Sequence, residues 1–157
     1  MMSVSGFSPP ISRKEFEEKN RRIARAVSEV PAVDIEMWQR GRDWLATQAL
    51  GDDPAGPRRN SPRVQISIQA HLAGVGPVTT ENVSFNGLAI HAGRYHGLLP
   101  GDETSVRVAM NGRSVYALAR VAWTEEQRVG IAFTAIHPTD ERSLQAAVCD
   151  RLLAHWH

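Results

Sequence analysis

The sequence predicts a mainly β protein, with a six-stranded antiparallel β-barrel, a C-terminal helix and an N-terminal α-helical segment before the barrel. Three observations support this prediction. From residue 63 onward, short apolar runs repeat with the two-residue period of half-buried strands, and tight turns separate them. Before residue 52, apolar residues recur at helical spacing instead. A stretch rich in proline and glycine, residues 52–57, separates the two patterns and is interpreted as a linker.

The N-terminal segment contains two predicted helices. The first begins after Ser12, which forms a capping-box pattern with Glu15, and proline chemistry predicts its end near Pro31. The second is expected to end near Gly51. Each helix carries an apolar stripe. The stripe residues are Phe16, Ile23, Val27 and Val30 on the first helix and Ile35, Trp38, Leu45 and Ala49 on the second.

These two stripes need a surface to pack against. Two helices of this length cannot enclose a core of their own, and leaving apolar surface in water costs about 25 cal/mol per Å². The stripes could pack on the chain's own barrel, on a second subunit or on another protein. We expect a helical hairpin that supports a homodimer or contacts an unidentified protein partner. Residues 1–57 are therefore assigned to an accessory segment with its linker, and residues 58–157 to the barrel domain.

The six strands are predicted from alternating apolar positions. They span residues 63–72, 76–83, 87–92, 103–110, 113–123 and 128–134. Val64, Ile66 and Ile68 alternate with polar residues in the first strand. The fifth strand continues the pattern through Val115, Ala117, Ala119, Val121 and Trp123. Asn111-Gly112 between two strands is a two-residue hairpin turn of the favoured kind.

A last helix is expected after Pro138, because proline is favoured in the first helical turn. Thr139 or Asp140 is the predicted cap. Its apolar stripe comprises Leu144, Val148, Leu152 and Trp156. The stripe should pack on the barrel or on a partner.

Two short motifs carry the residues best suited to binding an anion. Arginines cluster where the first strand begins, and a guanidinium pairs bidentately with a phosphate group. The cluster comprises Arg58, Arg59 and Arg63. The second motif contains Asn82, Ser84 and Gly87, residue types that suit a tight turn beside a ligand. Together they predict an anion site.

The two motifs resemble the signature of the PilZ domain, the bacterial receptor module for cyclic di-GMP. That signature is Arg-x-x-x-Arg followed by Asp/Asn-x-Ser-x-x-Gly. The chain has Arg59-x-x-x-Arg63 and Asn82-x-Ser84-x-x-Gly87. Leu99-Pro100-Gly101-Asp102, Val121-Ala122-Trp123 and Val129-Gly130-Ile131-Ala132-Phe133 are also similar to that family. The resemblance covers roughly residues 57–157 and implies the same six-stranded barrel.

The resemblance implies a non-enzymatic receptor that binds cyclic di-GMP, needs no cofactor or metal, and signals to a protein partner by conformational change. Arg59 and Arg63 would hold phosphate and guanine, and binding would order the linker. Asn82 and Ser84 would bond a guanine edge, and Gly87 would let the ligand approach the backbone. Many family members carry Asp where this chain has Asn82, and a neutral amide makes weaker charge-assisted contacts.

Two further residues are assigned to the expected site. Arg58 directly precedes the first motif and would clamp a second, stacked ligand molecule, so two ligands per chain are expected. Trp123 has two interpretations that the sequence leaves open, a barrel-core residue or a residue beside the ligand.

Composition sets the other expectations. A formal net charge of +1 and an aromatic content of 6% argue against a duplex-binding domain and an OB-like single-strand binder. Cys149 is the sole cysteine, which fits a reducing compartment, and no apolar run reaches bilayer length. A cytoplasmic protein with no membrane span is expected. No spacing of histidines, cysteines or carboxylates completes a metal or catalytic site. The alternative function is a nucleotide-independent adaptor that keeps the barrel for protein interaction.

Overall fold

The computed structural model describes residues 8–25 and 30–157. Val27, assigned above to the first stripe, lies outside them. The helices are α1 (Arg13–Ala24), α2 (Ala32–Asp52) and α3 (Pro138–Leu152), with 3₁₀ turns at Gly56–Arg58 and Leu153–His155. The strands are β1 (Arg63–Gln65), β2 (Gln69–Leu72), β3 (Gly76–Ser84), β4 (Gly87–His91), β5 (Glu103–Met110), β6 (Arg113–Glu125) and β7 (Arg128–Ile136). The predicted fold class is confirmed.

Six antiparallel strands of the described residues close into a barrel in the order β3-β2-β5-β6-β7-β4, and β4 returns to β3. β1 pairs with β3 on the same edge as β2, so the predicted first strand, 63–72, is one strand interrupted in the middle. Thr80 explains the interruption. Its hydroxyl accepts a hydrogen bond from the Ile68 N–H at 2.9 Å and donates to the Ile66 carbonyl, so these two backbone groups bond a side chain instead of the β3 backbone.

The helices form a layer on one side of the barrel. α3 contacts β1, β3, β5 and β6, and it also packs against both α1 and α2. Fully buried side chains at this junction include Phe16, Trp38, Leu45, Leu144 and Val148. Among the described stripe residues, Phe16, Ile23, Trp38, Leu45 and Ala49 are therefore buried within the chain. The expectation that they face a second subunit or a partner is wrong for these residues.

Buried hydrogen bonds tie the three helices together. The Asn20 side chain donates to the Ala146 carbonyl and accepts from the Trp38 indole N–H, both at 2.9 Å. The Ser143 hydroxyl donates to the Ala24 carbonyl at 2.7 Å. Because buried polar groups are costly when unpaired, these bonds fix how the helices sit against each other.

Helix ends agree with the sequence only in part. The Ser12 hydroxyl accepts from the Glu15 N–H at 3.1 Å, as the capping box predicts. The cap predicted for α3 is wrong, because His137 precedes the helix and its Nδ1 accepts from the Thr139 N–H at 3.1 Å. Asp140 instead pairs with Arg113. No described helix is long and apolar enough to cross a membrane.

The segment predicted as a linker is a folded turn. α2 continues to Asp52, and the Asp53 carboxylate accepts from the Ala55 N–H at 2.8 Å. The Gly56 N–H donates to the Asp53 carbonyl at 2.8 Å. These bonds make residues 52–57 a structured turn instead of the linker that their composition predicts.

Candidate ligand-binding site

All the residues predicted for the site line one pocket of about 270 Å³ on the barrel's outer surface. They are Arg58, Arg59, Arg63, Asn82, Ser84, Gly87 and Trp123. Sequence reasoning missed other residues of its wall and floor. These include Asn60, Ser61, Asn86, Ala89, Ala122, Gly130 and Ala132. A glycine in mid-strand, as at position 130, was the one available signal, since it often marks a close approach.

A row of cross-strand partners connects the two sides of the pocket. Along this row, Gln65 pairs with Asn82, Asn82 with Ala89, Ala89 with Gly130, and Gly130 with Trp123. Paired residues point to the same face of the sheet. The small residues Ala89 and Gly130 leave a low floor between the Asn82 amide on one side and the Trp123 indole on the other.

Two β-bulges turn the ends of this row outward. β3 has an extra residue, Glu81, just before Asn82, and β6 has one, Ala122, just before Trp123. Strict alternation along the strands would point the Asn82 and Trp123 side chains into the barrel. Each extra residue reverses the alternation, so both side chains point outward. Trp123 therefore lies on the pocket face, and the interpretation of it as barrel core is wrong.

Gly130 gives the Trp123 indole room to lie close to the sheet. A Cβ at Gly130 would lie 2.1 Å from the indole Nε1, far inside contact distance. The strand glycine is therefore required by the tryptophan. The two together form one wall of the pocket.

The turn between β3 and β4 is stabilised by Ser84 itself. Its hydroxyl donates to the Gly87 carbonyl at 3.2 Å and accepts from the Asn86 N–H at 3.3 Å. A Cβ at Gly87 would lie 2.0 Å from the Ile131 carbonyl oxygen. Glycine is therefore needed there for the close approach of β7, a packing reason that the sequence did not indicate.

The three arginines differ in their surroundings. Arg58 and Arg63 are exposed, and Arg63 is the cross-strand partner of Ser84. Arg59 is half-buried and forms an ion pair with Asp53, the residue that also holds the turn after α2. Within residues 8–25 and 30–157, neither Arg58 nor Arg63 has an acidic partner. Two guanidinium groups thus remain free to meet an anion.

A family model describes most of this region. The PilZ domain model matches residues 57–149. The chain belongs to the PilZ domain family. No curated protein matches the sequence.

The chain is similar to two solved structures. The chain is similar to the PilZ domain of CeSA from a cellulose-synthesizing bacterium, with 21% identity and a TM-score of 0.45 over 52% of this chain and 89% of that one. It is also similar to the Bacillus subtilis inhibitor of motility MotI/DgrA, with 15% identity and a TM-score of 0.54 over 60% of this chain. The match spans 51% of the MotI/DgrA chain. At 15% identity, the likeness to MotI/DgrA shows the fold alone.

An ion pair borders the pocket of this PilZ domain. Arg128 donates two hydrogen bonds to the Glu81 carboxylate, at 2.8 and 2.7 Å. The hydrogen bond from Arg128 lowers the pKa of Glu81 although burial opposes the shift, and the same bond raises the pKa of Arg128. Both groups are therefore ionised at neutral pH.

Other chemistry in this PilZ domain is limited. The described residues include no cluster of three or more His, Cys, Asp or Glu side chains that could hold a metal ion. Cys149 is buried, and burial raises the pKa of its thiol. A thiol in that state is not a nucleophile at neutral pH.

Proposed function

We propose that the chain is a cyclic di-GMP receptor that binds the dinucleotide in the pocket between its two motifs. One observation carries the proposal: arginines from before and at the start of β1, polar groups from the end of β3 and the following turn, and Trp123 from β6 all line the same pocket. Membership of a family of generally cyclic di-GMP-binding receptors supports the same ligand. A receptor for this messenger would act in the cytoplasm.

The ligand's chemistry matches the groups in the pocket. Cyclic di-GMP carries two phosphodiester charges and two guanines. Arg59 and Arg63 would pair with phosphate oxygens or with guanine O6 and N7, which a guanidinium contacts bidentately. Asn82 would bond a guanine edge. The Trp123 ring would offer a flat surface against which a base can pack.

Ligand selectivity tests this function. A thermal unfolding scan with cyclic di-GMP at about a hundredfold over its Kd should raise Tm by roughly 5–10 °C. GTP and cyclic GMP should raise it much less, because they cannot engage both arginines and the turn together. A folded chain that responds to none of these nucleotides would favour the nucleotide-independent adaptor instead.

The ion pair between Arg59 and Asp53 offers a route from the pocket to the helices. A phosphate on Arg59 would compete with Asp53, which directly follows α2 and holds the next turn. The neighbouring Asp52 binds the C-terminal histidines, with His155 Nδ1 at 2.8 Å and His157 Nε2 at 2.9 Å. Ligand would thus loosen the end of α2, and a protein partner would sense that change.

The Asp53→Asn substitution should tighten cyclic di-GMP binding by about three- to tenfold. Asparagine keeps an oxygen for the Ala55 N–H but removes the charge that competes for Arg59. Titration calorimetry would measure the effect. Asp43→Asn, which removes an exposed acid on α2 paired with Arg42, is the control. Weaker binding by Asp53→Asn alone would show that the ion pair organises the site instead of competing with ligand.

The stoichiometry should depend on Arg58. This exposed guanidinium lies at the pocket edge and would hold a second ligand stacked on the first. We expect two ligands per parent chain and one per Arg58→Leu chain, measured by titration calorimetry. One ligand per chain in both proteins would contradict the stacked pair.

A further inference from the structure

Arg128 connects the two bulged strands beside the pocket. It starts β7 and is not among the residues that line the pocket. Its Nε and Nη2 bond the two carboxylate oxygens of Glu81 on β3 at 2.8 and 2.7 Å. Its guanidinium carbon lies 5.3 Å from the centre of the Trp123 ring on β6. The Arg128 side chain therefore contacts both Glu81 and Trp123, on the two strands that border the pocket.

The contacted residues are those that the bulges control. Glu81 is the extra residue of the β3 bulge, and the next residue is Asn82. Trp123 directly follows the extra residue of the β6 bulge. A bulge interrupts the ladder of backbone bonds, so backbone pairing alone holds these positions less firmly than regular strand positions. A side-chain contact between the two bulges can supply the missing restraint.

We propose that the Glu81–Arg128 pair is a clamp that positions Asn82 and Trp123 for the ligand; this inference rests on the proposed cyclic di-GMP site. Arginine suits the task because its planar fork fixes a carboxylate at two points while its flat face lies over an aromatic ring. Lysine, a single point charge, cannot do both. Arg128 and Glu81 are positioning residues, since they act on the ligand through their neighbours.

Other charged groups near the clamp do not replace it. Glu125 lies 3.4 Å from Arg128 but is exposed at the end of β6. His91 Nε2 lies 3.3 Å from Glu81, at the end of β4. Neither residue contacts both bulges. The two-point bond to Glu81 and the contact with Trp123 belong to Arg128.

The test compares two arginines that each pair with a carboxylate. Arg128→Met removes the clamp, whereas Arg113→Met removes the Arg113–Asp140 pair between β6 and α3, away from the pocket. We expect cyclic di-GMP affinity to fall about three- to tenfold in Arg128→Met and to stay unchanged in Arg113→Met. Glu81→Gln keeps the shape of the side chain and should also lower cyclic di-GMP affinity. This second variant tests the clamp even if Arg128→Met folds poorly.

A second readout reports the position of Trp123 without ligand. Acrylamide quenching of tryptophan emission should increase in Arg128→Met, and the increase should disappear when Trp123→Phe is added. In a Trp123→Ala background, Arg128→Met should cause a clearly smaller loss of affinity than in the parent, because only the positioning of Asn82 through Glu81 is left to lose. A purely structural ion pair would lower stability without this dependence on Trp123.

The possible results distinguish a failure of the clamp from a failure of the proposed receptor function. If the parent binds cyclic di-GMP and Arg128→Met binds equally well, the clamp is wrong and the receptor function stands. Equal losses in Arg128→Met and Arg113→Met would also overturn the clamp, since both would reflect general destabilisation. If the folded parent does not bind at all, the receptor function fails and the clamp's role in binding fails with it.

Discussion

Replacing Arg63 with alanine is expected to weaken cyclic di-GMP binding by roughly ten- to a hundredfold, because each charge-assisted bond contributes on the order of 1.5–3 kcal/mol. Arg63 is exposed, has no acidic partner among the described residues and lines the pocket opposite Trp123. The Arg59→Ala, Arg63→Ala double variant should show no measurable binding. Titration calorimetry would measure both.

The matched control for this prediction is Arg107→Ala. Arg107 is an exposed strand arginine on β5 that does not line the pocket. Its replacement should leave both affinity and the circular dichroism spectrum unchanged. Equal binding by the Arg63→Ala and Arg107→Ala chains would place the ligand elsewhere on the molecule.

Replacing Trp38 with alanine should destabilise the whole chain by about 3–5 kcal/mol. Its ring is fully buried between the helices, and its indole N–H is donated to Asn20. The loss would leave a cavity and an unpaired amide oxygen. Urea unfolding followed by far-ultraviolet circular dichroism would measure it. Replacing the half-buried Trp123 with alanine should lower the free energy of unfolding much less.

This stability prediction decides how the N-terminal helices relate to the barrel. If Trp38→Ala left the unfolding midpoint unchanged, the helices would be a separate accessory unit. The packing of α1 and α2 on α3 instead leads us to expect that deleting residues 1–50 exposes the buried face of α3 and destabilises the barrel domain. The sequence-based assignment of residues 1–57 to an accessory segment predicts the opposite result, a barrel domain that stays folded without them.

The sequence was sufficient for the strands and for the convergence of the two motifs. Strand positions follow from a period of two, which is visible wherever one face is buried. The motifs lie on strands that a closed barrel brings together, so Arg63 and Ser84 become cross-strand partners. Knowledge of the fold alone is therefore enough to place a pocket between the two motifs.

The facing of Asn82 and Trp123 could not be read from the sequence. Glu81 and Ala122 interrupt the alternation by one residue each, and neither residue type marks a bulge. Thr80 likewise appears as an ordinary strand residue, although its hydroxyl splits the neighbouring strand. These features depend on which residues meet across the sheet, and that is a tertiary property.

The packing of the helices was missed for a related reason. The predicted apolar stripe of α3 runs through Leu144 and Val148. The rest of the helix carries mostly small and polar residues. Ser143 and Ala146, on other faces of α3, are also buried and bond α1 through Ala24 and Asn20. Small and polar residues gave no sign of a second buried face, so α1 and α2 seemed to lack a partner within the chain.

The most direct test of the receptor function is a calorimetric titration of the unmodified chain with cyclic di-GMP. We expect a saturable heat signal with about two ligands per chain, and no signal when Arg59 and Arg63 are both replaced. A chain that is folded by circular dichroism, yet shows neither heat nor a change in Tm with micromolar ligand, would contradict it.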